Sequence, residues 1–141
     1  MGDIPYTASE ESTLTDQLHS LPPSRTSFLY HVGDINRAWD TGCTESTYAN
    51  VRRLFLEGSA SSYPIFVTPG DNDFNDCPNP DVAMGYWTTY LSRLDEEGDH
   101  ALKLERQPGR SENVAIMMSD FVLVLGVNLV GGSIHDKEEW R

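Results

Sequence analysis

The chain has 141 residues, with 10 Lys plus Arg against 22 Asp plus Glu and a formal net charge of -12. That length suits one domain, and 38% hydrophobic with 23% charged residues supports a packed core rather than whole-chain disorder. The acid excess argues against a surface that grips nucleic acid through its phosphates and against docking on an anionic membrane, though bound cations would let such a chain hold a phosphate ligand.

Ser9 to Leu21 carries Leu14, Leu18 and Leu21 on one helical stripe, which predicts an amphipathic helix stopped by Pro22–Pro23. TSFLYHVGD then reads as a short buried strand ending in Gly33–Asp34, followed by a polar loop to Cys43. From Glu45 to about Glu57, Tyr48, Val51, Leu54 and Phe55 recur at helical spacing, with Gly58 placed as a C-cap. Tyr63 to Thr68 reads as a second strand meeting Pro69–Gly70, and the Asp, Asn and Pro of residues 71–81 predict a loop. A third helix is expected from about Met84 to Leu94, then a polar surface excursion from Asp95 to Glu112. Asn113 to Met118 and Phe121 to Val130 read as two strands joined at Ser119–Asp120, a candidate hairpin. Asp136 with Glu139 resembles a capping box and predicts the start of another helix. Helices alternating with short apolar strands predict an α/β fold of mostly parallel strands with flanking helices.

Several functions fall away. No apolar run reaches the ~18 residues of a membrane helix. MGDIPYTASEES has neither the basic nor the apolar region of a signal peptide. Two cysteines cannot build a disulfide-rich scaffold or a four-cysteine zinc site. Dinucleotide, Walker A, zinc-protease and nucleophile-elbow patterns are absent.

In open α/β sheets, ligands bind beyond the carboxyl ends of the strands. Two predicted strand ends carry the same device, Gly33–Asp34 and Gly70–Asp71, and Gly2–Asp3 repeats it at the front of the chain. Glycine lets the backbone turn sharply and brings an acid to the sheet rim. Three carboxylates gathered there repel one another and demand protons or hard cations. Plain turn chemistry accounts for the same Gly-Asp pairs without any site.

GDIPY, HVGDIN and TPGDNDFNDC, in that order and separated by helices, resemble the calcineurin-like metallophosphoesterase superfamily. The nearer resemblance is to a subgroup that opens with Gly-Asp-x-Pro-Tyr and carries Gly-Asp-Asn-Asp/Glu as its third motif. The resemblance implies an α/β/β/α sandwich, of which this chain would be the N-terminal part of a single, truncated domain. It implies hydrolysis of a small phosphoester by two metal ions, Fe, Mn or Zn, sharing one aspartate and an attacking hydroxide. Carried over by position, it makes Asp3 a ligand of the first metal, Asp34 the bridging ligand and Asp71 a ligand of the second. Asn72 falls where a histidine contacts the phosphate, and Asp73 at the acid that supports that histidine.

The chain departs from that pattern. Pro5 replaces a ligating histidine, Asn36 or Arg37 occupies the region of a second acid, and Asn72 cannot be a general acid. The superfamily's later histidine ligands do not occur before Arg141, and His135, just ahead of the predicted capping box, reads as a surface histidine. The resemblance also brings Cys43 and Cys77 together across the sheet rim as a disulfide, with a secreted or luminal location and an upstream signal peptide; the residues alone read equally as two unpaired small side chains. A calcium loop starting at Asp71 fails because Asp76 stands where glycine is needed and Val82 where glutamate is. His19 and His100 read as solvated, Trp39, Tyr86 and Trp87 as core before cleft, and Asp95, Glu96, Glu97 and Asp99 as a solvated charge run. Two functions remain: a dinuclear metal-dependent phosphoesterase, or a truncated or degenerate module that binds one metal or serves in interactions.

Overall fold

A computed structural model describes residues 1–37, 43–59, 63–98 and 101–128. The expected Asp136 helix, His100, His135, Trp39 and Asp99 lie outside the described residues.

Three α-helices form on the predicted stripes, with shifted ends. α1 spans Ala8–Ser20, opened by Thr7, whose side chain accepts from the Glu10 amide. α2 spans Glu45–Ser59 and buries Tyr48, Val51, Leu54 and Phe55. α3 spans Pro80–Tyr90, earlier than expected. Asn79 caps it by accepting from the Val82 amide, and Pro80 takes the first turn, where its missing N–H costs nothing. Gly58 is not a cap. It lies inside α2, where an added Cβ would stand 2.6 Å from Leu18 Cδ1 of α1. The glycine lets the two helices approach closely, a tertiary demand that no local pattern reveals.

The strands correct the predicted fold. β1 (Leu29–His31) and β2 (Ile65–Val67) pair in parallel as a two-stranded sheet. A separate antiparallel sheet is built from β3 (Lys103–Gln107), β4 (Arg110–Ser119) and β5 (Val122–Gly126), in that order. The molecule is therefore a small mixed helix and sheet fold, not the mostly parallel metallophosphoesterase sandwich expected from the motifs. Two-residue connections explain the difference: turns at Pro108–Gly109 and Asp120–Phe121 allow only antiparallel return, whereas parallel pairing needs a long crossover.

The polar excursion expected between Asp95 and Glu112 is instead a 3-10 turn (Leu94–Glu97) followed by β3. Alternation of half-buried Leu104 and Arg106 with exposed Lys103, Glu105 and Gln107 marks a one-sided strand. Asp95 is not solvated: it is buried and ion-paired with Arg106 of β3, which ties the second sheet to the 3-10 turn. Burial pushes its carboxyl up while Arg106 pulls it down.

Two cores sit on opposite faces of the parallel pair. On one, Leu29, Ile65 and Val67 pack with Leu14, Leu18, Val51, Phe55, Trp87 and Leu91 of the helical layer. Trp87 is fully buried there and lines no cleft. On the other, Phe66 packs with Val114 and Ile116 of β4, flanked by Phe28 and Tyr30. This two-sided cover explains why β2 reads as an uninterrupted apolar run.

Candidate cation site at the strand ends

The first residues lie alongside β1. The Met1 amino group donates to the Tyr30 carbonyl at 2.9 Å, Val32 N–H to the Met1 carbonyl at 2.7 Å, and Asp3 N–H to the Gly33 carbonyl at 2.9 Å. These bonds run in parallel register, and on its other edge β1 pairs with β2. Gly2–Asp3, Gly33–Asp34 and Gly70–Asp71 are therefore neighbours at one rim, with Asp34 in the middle.

Two glycines set how tightly the rim closes. Gly33 has φ +89°, and an added Cβ would lie 2.1 Å from the Gly70 nitrogen. At Gly70 an added Cβ would lie 2.0 Å from Asp34 Oδ1. Asp3 and Asp34 themselves take φ of 62° and 58°, a left-handed backbone that costs non-glycine residues about 1 kcal/mol or more. Such conformations persist only where surrounding contacts enforce them.

The enforcing contact is Asp73. Its Oδ2 accepts from the amides of Asp34 and Gly70, each at 2.9 Å, and its Oδ1 from those of Ile35 at 2.8 Å and Asn36 at 3.3 Å. The side chain is fully buried, and Tyr48 Oη of α2 donates to its carbonyl. Burial pushes the Asp73 carboxyl up to about 7, against the downward pull of these amides. The structure thus places this residue beneath the rim, clamping both Gly-Asp turns.

Asp34 is half-buried and raised to about 6, first by burial, then by the charge of Asp71, with Asp3 adding to it. The Asn72 amide donates to Asp71 Oδ1 at 3.0 Å and to Asp34 Oδ1 at 3.3 Å, so it lies between the two acids. Tyr6 Oη donates to Asp3 Oδ1, and burial together with Asp3 and Asp34 holds its hydroxyl far above the usual phenol range. Tyr6 was missed as a site residue; its signal was the GDIPY spacing that brings it back over Asp3.

Cys43 and Cys77 form a disulfide with Cα atoms 5.9 Å apart. The Asn72 carbonyl lies 3.5 Å from Cys77 Sγ and 3.9 Å from Cys43 Sγ. The bridge therefore backs the loop that carries Asn72. A second residue missed from sequence is His31 of β1, fully buried, edge-on to Phe55 and accepting at Nδ1 from the Gly33 amide at 3.2 Å. Of the positions that depart from the motif pattern, Asn36 is buried and Arg37 exposed.

The donors are carboxylate oxygens, a set suited to hard ions such as Mg²⁺, Ca²⁺ or Mn²⁺ rather than to zinc, which favours nitrogen and sulfur. The raised Asp34 fits as well, because a cation would relieve the repulsion from Asp71. Among the described residues, no three His, Cys, Asp or Glu side chains stand as a ready metal cage. What is built is a close pair, Asp34 and Asp71, with Asp3 beside it and bonded to Tyr6.

No family model, curated protein or solved structure matches the chain. Among the described residues no helix is long and apolar enough to cross a membrane.

Proposed function

We propose that this chain carries a divalent-cation site that serves hydrolysis of a phosphoester. The observation that supports it most is the juxtaposition of Asp34 and Asp71, two acids in neighbouring turns that Asp73 ties together from below. Asp34 and Asp71 would hold the ion, and Asp3 the flank beyond Asp34, so Asp34 has the central place of a shared ligand if two ions bind. Mn²⁺ suits the oxygen-only donors best among Fe, Mn and Zn. A bound cation supplies charge neutralisation of the phosphate and an activated water. Asn72, whose backbone N–H donates to both acids, has a side-chain amide that cannot give a proton to a leaving group. The enzyme therefore needs a leaving group that departs as an anion. The disulfide supports a secreted or luminal setting.

A second reading is favoured by the same departure: with Asn72 in place of a proton donor and a pair rather than a cage, the chain would bind one cation without turnover. A chromogenic aryl phosphate assay separates the two. Hydrolysis that requires Mn²⁺, stops with EDTA and falls at least a hundredfold in Asp34→Asn supports the enzyme. Cation binding without turnover supports the module, and turnover insensitive to EDTA contradicts both.

A further inference from the structure

The face of the parallel pair that meets the second sheet carries Tyr30, Val32, Phe66 and Thr68 on alternate positions. Phe66 and Tyr30 are covered by β4 and its neighbours. Beyond them, toward the strand ends, a cavity of about 480 Å³ separates this face from β5. Tyr30 and Val32 line it from the parallel pair, and Val124, Val127 and Asn128 from β5 and the residues that follow it. Val32 and Val127 are 61% and 58% exposed, apolar side chains facing open space.

The cavity is continuous with the acid rim. Its floor includes Thr68, Pro69 and Gly70, and the next residue is Asp71. Val32 leads in the same way through Gly33 to Asp34, and Gly70 touches Asp34 Oδ1 closely enough that no Cβ would fit. A group attached to a phosphate at the rim would therefore enter a space lined by the apolar Val32, Pro69 and Val124 together with the polar Thr68 and Asn128. Each methylene buried there raises affinity by roughly fourfold.

We propose that this cavity takes the alkyl or aryl group of a phosphoester whose phosphate sits at Asp34 and Asp71, which makes the substrate class phosphoesters with an apolar substituent. The location of the phosphate rests on the proposed function; the apolar subsite rests on the cavity alone.

Calorimetric titration of the intact chain with methyl phosphate and octyl phosphate, in Mn²⁺ and in EDTA, tests both parts. In Mn²⁺, octyl phosphate is expected to bind at least tenfold more tightly than methyl phosphate. Val127→Asn, at an exposed position, should reduce octyl affinity at least fivefold and leave methyl affinity unchanged. Equal affinities for the two ligands, or an octyl preference untouched by Val127→Asn, overturn the subsite. An octyl preference that persists in EDTA, with no methyl phosphate binding in Mn²⁺, keeps the apolar subsite and overturns the phosphate site. A dimer by sedimentation that dissociates on Val127→Asn would make a second copy of the chain the occupant and overturn the proposal.

Discussion

Asp73 Oδ2 receives the backbone amides of Asp34 and of Gly70 at the same distance, 2.9 Å, and so locks the two Gly-Asp turns to each other from below. Replacing Asp73 by Asn puts an amide NH₂ where one oxygen stood and leaves buried N–H groups facing a donor. The expected loss is about 2–5 kcal/mol, because orphaned donors in a dry site cost their full desolvation. Urea unfolding measures it, and a loss under 0.5 kcal/mol would mean the clamp is not needed.

Gly70→Ala tests the closeness of the rim without a backbone penalty. Gly70 has φ -86°, which alanine adopts freely, so the substitution acts through the Cβ, which would meet both Asp34 Oδ1 and the Asp34 backbone nitrogen. Asp34 must move away from Asp71, and Mn²⁺ affinity is expected to fall at least tenfold, while far-ultraviolet circular dichroism stays unchanged. Unaltered affinity would show that Asp34 binds no ion in the arrangement described.

The disulfide closes a loop with a sequence separation of 34. In the loop-entropy account, that restriction of the unfolded chain is worth about 4 kcal/mol. Cys43→Ser with Cys77→Ser should lower stability by that order in chemical denaturation. It should also weaken cation binding, because the bridge stands against the Asn72 carbonyl; binding equal to the oxidised chain would separate the bridge from the site.

His31 gives the stability a pH signature. Burial pushes its pKa down from 6.5 to about 4. The unfolded chain then takes up the proton first, so this contribution is complete above about pH 6.5 and is lost as pH falls toward 4, at most about 3 kcal/mol. Asp34 and Asp73 work in the opposite sense, since their folded values lie above the unfolded ones and protonation favours the fold. His31→Phe removes only the histidine part. Its stability should decline less than the wild type's between about pH 7 and about pH 4.5, and parallel declines would assign the loss elsewhere.

Much of the helical layer was legible in the sequence because its signal is local. The Leu14 and Leu18 stripe and the Tyr48, Val51, Leu54, Phe55 stripe state which face is buried, and both faces are buried. Of the second sheet, β4 and β5 were legible as two strands joined in a hairpin, but β3 was not. In Lys103–Gln107 the one apolar residue is Leu104, and Arg106 is half-buried because it pairs with Asp95 of the preceding 3-10 turn, a contact that no alternation of apolar residues announces. Parallel against antiparallel pairing was decided by the two tight turns, at Pro108–Gly109 and Asp120–Phe121, which outweighed the alternation of elements. At the site, the three Gly-Asp pairs pointed to the rim, but the roles beneath it could not be read. That Asp73 faces four amides depends on two turns 36 residues apart meeting, Asp34 to Gly70.

A cation held between Asp34 and Asp71 must be lost with the Asp34 carboxylate. Calorimetric titration of Mn²⁺ into the intact chain and into Asp34→Asn measures this. Saturable binding is expected for the wild type, weakened at least a hundredfold in Asp34→Asn, with both proteins equally folded by circular dichroism. Equal binding by the two, or none by the wild type, would contradict it.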